Sequence, residues 1–217
     1  MSYYNRIQKM IQELREHPKI SIEYCRFEPV RQRNMNSATI REVKEKLGTP
    51  LPFGIEDFFR EIQHFEIKWR ITAPELLAID NYLTCGEIKI SNITSLFGRP
   101  FEPFYNQTPS LLPIDYPTGE YCVGYNLKED QTFPQSLSYA YFCDIYDLQL
   151  NFPEYFNRLM NSRGYCHWAT GLIPPNSYSN RFERFPDNSE FQNLFEQILP
   201  RLFLDYDKTL LAPKIDK

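Results

Sequence analysis

The groups with chemistry to offer in this chain are three histidines (His17, His64, His167) and five cysteines (Cys25, Cys85, Cys122, Cys143, Cys166). Their spacing builds no catalytic or metal-binding constellation. There is no H-E-x-x-H, no C-x-x-C and no paired Cys-Cys…His-His run, so a dedicated zinc site is not expected. Cys166-His167 sets a thiol beside an imidazole, the pair a thiol hydrolase needs. Adjacent side chains in a strand point to opposite faces, so the pair reads instead as a buried thiol beside a rim histidine. His64 reads as a surface residue late in a helix. Asp144 and Asp147 come nearest to a hydrolase carboxylate pair, but on a continuous strand their odd spacing turns them to opposite sides. None of G-x-x-x-x-G-K-[ST], G-x-G-x-x-G or G-x-S-x-G occurs, and eight glycines leave little material for a phosphate cradle. The residues therefore assign no catalytic group, no metal and no cofactor. An enzyme is not expected; an uncharacterised hydrolase is the minor alternative.

Charge and composition narrow the partner. Lys and Arg number 24 against 28 Asp and Glu, giving −4 and a pI near 5.5. A nucleic-acid-binding domain usually carries a basic patch and a far higher pI. The densest basic cluster, Arg26, Arg31 and Arg33, is interleaved with Glu23 and Glu28. A mildly acidic surface suits a basic protein partner. The odd number and wide spacing of the cysteines argue for reduced thiols in a cytoplasmic protein. The amphipathic start MSYYNRIQKMIQELREH lacks the apolar stretch of a signal peptide, and no apolar run is long enough to span a bilayer. Aromatics reach 16%, with 17 Phe and 15 Tyr. They read first as core and rim, since Tyr and Phe bury large areas.

The elements that must position these groups follow from periodicity. Tyr4, Ile7, Ile11 and Leu14 recur at helical spacing after Ser2, and Pro18 ends that helix. Ile20 and Ile22 alternate as a short strand. Ser37 caps a second helix with the stripe Ile40, Val43, Leu47, stopped by Gly48. After the rigid Thr49-Pro-Leu-Pro52 bend, Ile55, Phe58, Phe59, Ile62 and Phe65 predict a third helix. Glu66 to Ile71 alternates as a strand, as do Glu87 to Ile90, Leu111 to Ile114, Tyr121 to Tyr125 and Ser138 to Ile145. Asn151 caps a helix with Pro153 in its first turn and Gly164 at its close. Gly171 to Asn188 reads as a long surface loop. A last helix starts at Ser189, with Gln192 completing a capping box, and Pro200 should end or kink it near Leu199. Helices, then strands, then helices predict an α+β fold. The expected arrangement is one domain over 1–217. Its core spans about 38–168, with a helical extension at 1–36 and a loop and helix at 170–217. Helices 38–47, 55–63 and 151–161 flank a mixed or antiparallel sheet.

One stretch is more specific. Leu47-Gly48, Leu51-Pro52, the stripe Ile55/Phe58/Phe59/Ile62 and the strand bearing Trp69 together resemble the opening of the SUKH superfamily, which includes fungal cell-wall-assembly regulators and bacterial toxin-immunity proteins. Gly86 to Ile90, Leu112 to Ile114 and Asn151 to Leu159 look like its later strands and closing helix. The resemblance runs from Glu42 to about Trp168. It departs from the family where Gln63-His64-Phe65-Glu66 replaces a common Asn-Gly turn before the Trp strand.

The resemblance implies a cytoplasmic protein-binding module that covers a cognate toxin, such as a basic nuclease, with no direct nucleic-acid or membrane contact. The alternative is a regulatory scaffold of the cell-wall-assembly type with no toxin. Acids and tyrosines at strand ends and turns are the candidate partner-binding residues: Asp115, Tyr116, Glu120, Tyr121, Glu129, Asp130, Asp144, Tyr146 and Asp147. Acids there would pair with a basic partner and Tyr would supply desolvated anchors. Residues 97–109 are the fallback surface.

Overall fold

The computed structural model describes residues 1–31, 33–80, 83–97, 110–130, 132–141, 144–173 and 188–214, with backbone alone at 33–35 and 188–192. The chain is an α+β fold built on one antiparallel sheet. The strands are β1 (Ile20–Pro29), β2 (Ile62–Ile71), β3 (Cys85–Ile90), β4 (Leu111–Asp115), β5 (Tyr121–Asn126), β6 (Leu137–Tyr141) and β7 (Asp144–Leu150). They lie side by side in chain order, and every neighbouring pair is antiparallel. The helices are α1 (Tyr3–Glu16), α2 (Arg33–Leu47), α3 (Ile55–Glu61), α4 (Pro74–Leu77), α5 (Ile93–Phe97), α6 (Phe152–Ser162) and α7 (Asn188–Leu202).

The sheet has a seam. β1, β2 and β3 pair along their lengths, as do β4 to β7, but β3 meets β4 only at Ile90 and Asp115. There the Asp115 carboxylate accepts the Lys89 backbone N–H at 2.8 Å, taking the place of a ladder carbonyl. One hydrophobic cluster bridges the two halves. Into it α2 sends Ile40 and Val43, α3 sends Ile55, Phe58 and Phe59, and α6 sends Phe152, Tyr155, Phe156 and Leu159. The sheet contributes Phe65, Ile67, Trp69, Ile88, Val123, Tyr125 and Tyr139 from its alternate positions. The intervening positions of β4–β6 form a second, smaller cluster of Leu111, Cys122 and Ala140. Those of β2 and β3 carry Glu66, Lys68, Arg70, Glu87 and Lys89 toward water. Lys68 there lies 3.7 Å from Glu87, and Lys89 lies 3.7 Å from Glu66.

Local signals explain most boundaries. The Ser2 hydroxyl accepts the Asn5 N–H and starts α1. Asn151 and Glu154 close a reciprocal capping box at α6. Tyr3 of α1 packs edge-on to Phe58 and Phe156, docking the amino-terminal helix on the core.

Several expectations fail. Ser37 lies inside α2, which begins at Arg33, and does not cap it. Ser138 to Ile145 is not one strand but is divided between β6 and β7. The strand begun by Ile20 and Ile22 is not short but runs on to Pro29. Helix α3 stops at Glu61, and His64 and Phe65 belong to β2. Ile62 and Phe65 fit a helical spacing, but Phe65 also begins the period-2 run Phe65, Ile67, Trp69, Ile71, and pairing with β1 makes that run a strand. His64 is buried and not at the surface, with Nε2 3.4 Å from a Glu66 carboxylate oxygen. Helix α7 does not end near Leu199 but continues to Leu202 through Pro200. Pro200 and Glu196 both face water, so the carbonyl that Pro200 leaves unbonded is solvated at little cost. Gly171, Leu172 and Ile173, the start of the expected surface loop, are buried, the first two closing a 3-10 turn that begins at Trp168. Residues 174–187 of that expected loop, and the α7 capping pair, lie outside the described side chains.

Gly86 marks the tightest approach in the sheet. A Cβ built there would overlap the Trp69 ring. Gly86→Ala should therefore cost about 2 kcal/mol, as overpacking of a close-packed site does. The double variant Gly86→Ala/Trp69→Phe should recover part of the loss, because the two sites share one volume. Urea denaturation of the single and double variants checks this; additive losses would show that the contact is not the cause.

Candidate functional site

The nine candidate residues do not form one surface. Asp115, Tyr121 and Tyr146 are 2%, 5% and 8% exposed and belong to the interior, which corrects the expectation that they meet a partner. The register explains why. Tyr121 shares its parity with Val123 and Tyr125, so strand alternation turns all three toward the helices. Asp115 Oδ2 accepts the Tyr155 hydroxyl at 2.7 Å while Oδ1 holds the β3–β4 seam. Burial pushes the Asp115 carboxyl up to about 6, against the lowering effect of those two donors. Burial likewise raises Tyr146 to about 12.

The other six split between the two ends of the sheet. Tyr116 and Glu120 flank the β4–β5 connection. Asp144 starts β7 at the same end, since Tyr121 pairs with Tyr141 and Tyr141 with Asp144. Glu129 and Asp130 sit at the opposite end, in the β5–β6 connection, roughly 20 Å away at ~3.3 Å per strand residue. The Asp130 carboxylate accepts the hydroxyl and N–H of Thr132, which hold it below the usual carboxylate range. Asp147 projects outward from β7.

At that second end the structure builds a concavity that sequence reasoning did not anticipate. A groove of about 710 Å³ runs between the α2–α3 bend (Pro50, Leu51, Phe53), the β5–β6 connection (Phe133, Pro134) and β7 (Asp147, Gln149). Asn151, Glu154 and Lys214 complete its wall. Phe53 stands at its mouth, 72% exposed. Two backbone devices fix the walls. Gly54, in the left-handed region at φ 83, lies so close to Pro153 that a Cβ would overlap the proline ring, which locks the bend onto α6. Gln149 is a non-glycine residue at φ 55, its N–H held by the Asp147 carboxylate at 2.9 Å. Such positions cost energy and gather at binding and catalytic sites. The only sequence trace of this groove was an aromatic residue between Pro52 and Gly54, where a turn leaves it little to pack on.

The chain matches no family model, no characterised protein and no solved structure.

His17 Nε2 lies 2.6 Å from the Leu202 carbonyl and ties α1 to the end of α7. His167 sits at φ 56, its ring 4.5 Å from Tyr121 and 5.9 Å from Tyr141, with Nδ1 3.3 Å from the Tyr139 hydroxyl. Burial pushes it down to about 4, so the imidazole is neutral near pH 7. The Cys166 thiol faces Cys85 and Tyr121, and the His167 ring lies against Tyr121 and Tyr141. Among the described residues, no group of three or more His, Cys, Asp or Glu gathers to hold a metal ion. No described helix is long and apolar enough to cross a membrane. The fallback surface at 97–109 lies outside the described residues beyond Phe97.

Proposed function

We propose that this protein is a cytoplasmic binding module of the SUKH type that neutralises a basic protein toxin by covering it. The observation that carries the reading is the exposed Phe53 at the mouth of an acid-rimmed groove. Asp147 and Glu154 line the groove and Glu129 and Asp130 stand on the adjoining β5–β6 connection, against Lys214 and Lys128. Glu154 is held 3.1 Å from Lys214, which leaves Asp147 as the groove's unneutralised acid. An exposed aromatic at such a groove suits a basic partner segment that carries an apolar side chain. The bend that presents Phe53 is also the Leu47-Gly48…Leu51-Pro52 stretch on which the family resemblance rests. The same arrangement serves the regulatory-scaffold alternative, so the partner decides between them.

The deciding experiment is co-expression with the product of the adjacent reading frame. An adjacent growth-inhibiting protein that this chain neutralises and co-purifies with supports immunity. A neighbour without toxicity, or toxicity that the folded chain leaves unrelieved, removes it. In the resulting complex Phe53→Ala should weaken affinity by roughly 2 kcal/mol, mainly through faster dissociation. Asp147→Lys should slow association and flatten its salt dependence. Surface plasmon resonance at two ionic strengths separates the two effects, and unchanged constants for both variants would exclude the groove as the binding face.

A further inference from the structure

Cys85 and Cys166 are 81 positions apart in sequence and meet across a two-stranded bridge. Gly86 pairs antiparallel with Tyr165. On either side of that pair the Cys166 N–H donates to the Cys85 carbonyl at 2.9 Å and the Glu87 N–H donates to the Gly164 carbonyl at 2.8 Å. This register sets Cys85 directly opposite Cys166. Opposed residues in an antiparallel pair project to the same face with Cα atoms about 5.5 Å apart, inside the span of a disulfide. Both residues are half-buried and both are free thiols. Cys85 lies on the charged outer face of the sheet, paired on its other side with Arg70.

We propose that Cys85 and Cys166 form a peroxide-reactive dithiol that closes to an intramolecular disulfide. Hydrogen peroxide is the oxidant. The Cys85 thiolate attacks one peroxide oxygen, the O–O bond breaks, and the departing hydroxide takes a proton to leave as water. The Cys166 sulfur then attacks the sulfur of the resulting Cys85 sulfenic acid, the S–S bond forms, and the hydroxyl leaves as a second water with the Cys166 proton. Two thiols are oxidised by two electrons in total, and one peroxide is reduced to two waters.

The surroundings assign the two roles. Cys166 donates to Cys85, and Lys68 and Arg70 add positive charge, which together bring the Cys85 thiol down to about 7 despite burial and the nearby Glu87. Cys166 is pushed up by the same contact and by burial, with Glu120 adding to the rise and Tyr121 opposing it. A lowered, reachable thiol beside a proton-bearing second thiol is the arrangement of an attacking and a resolving cysteine. Cys25 and Cys122 have no such partner among the described thiols, and burial raises both.

The test is a thiol count and a non-reducing peptide map of the full chain before and after stoichiometric hydrogen peroxide. Titratable thiols should fall by two from the five in the sequence, with one new cross-linked peptide joining Cys85 to Cys166. In the native, reduced protein at pH 7, Cys85 should be alkylated by iodoacetamide about tenfold faster than an ordinary thiol. Cys166→Ser should leave a Cys85 sulfenic acid that dimedone traps, and Cys85→Ser should abolish both products. The parent measurements stand even if a variant fails to fold. An unchanged thiol count, a cross-link to any other cysteine, or a Cys85 that alkylates no faster than Cys25 would overturn the proposal.

Discussion

Trp69→Ala is expected to be the most damaging single truncation in the chain, at roughly 4 kcal/mol. Trp69 is fully buried in β2, with its ring edge-on to Phe203 at 5.9 Å and tilted to Tyr165 at 6.2 Å. It sits over Gly86, and its Nε1–H donates to the Arg163 carbonyl at 2.8 Å. The residue therefore joins the first half of the sheet to the turn after α6. Alanine would open a cavity too large to collapse and leave a buried carbonyl without its donor. Trp69→Phe keeps most of the ring but loses the donor, and should cost about 1–3 kcal/mol. Thermal and urea unfolding read both values. A Trp69→Ala protein within about 1 kcal/mol of the parent would show that this contact does not hold the two segments together.

The second large effect is a dependence of stability on pH carried by Asp115. Its carboxyl is raised to about 6 in the folded protein, chiefly by desolvation, against an ordinary value near 4 in the unfolded chain. The folded state thus holds a proton that the unfolded state releases between about pH 4 and pH 6. The stabilisation from this group is fully present below about pH 4 and is lost as pH rises through about 6, by roughly 3 kcal/mol in all. The Asp115→Asn side chain is neutral throughout and can still accept the Lys89 N–H and bond the Tyr155 hydroxyl. The difference in stability between the Asp115→Asn variant and the parent should therefore shift in the variant's favour by about that amount between about pH 4 and pH 7. Asp115→Ala should instead be destabilised by about 2–4 kcal/mol at pH 4, since it leaves two buried donors unpaired. Equilibrium unfolding of the three proteins across this range provides the comparison. A flat difference curve for Asp115→Asn would mean that the carboxyl is not raised by its burial. Because Asp115 is buried, any substitution there reports on folding and not on a partner surface.

Read by itself, the sequence determined the elements whose signals are local. Ser2 and Asn151 offer side-chain acceptors to their own first turns, and Gly48 and Gly164 take left-handed conformations where α2 and α6 end. Those interactions span a few residues, so they were legible, as were the α+β class and the buried stripe Ile55, Phe58, Phe59. Where two periods overlapped, local reading failed: Phe65 closed the helical stripe and also opened the alternation Phe65, Ile67, Trp69, and pairing with β1 decided. Tertiary structure alone decided the site. Whether an acid or tyrosine at a strand end meets water depends on register and on which helix lies over it, so Asp115, Tyr121 and Tyr146 went inside while Asp147 stayed out. The groove needs Phe53, Phe133 and Gln149 brought together, and the dithiol needs Cys85 opposite Cys166. No spacing rule in one dimension encodes such encounters, because the chain closes them through the sheet.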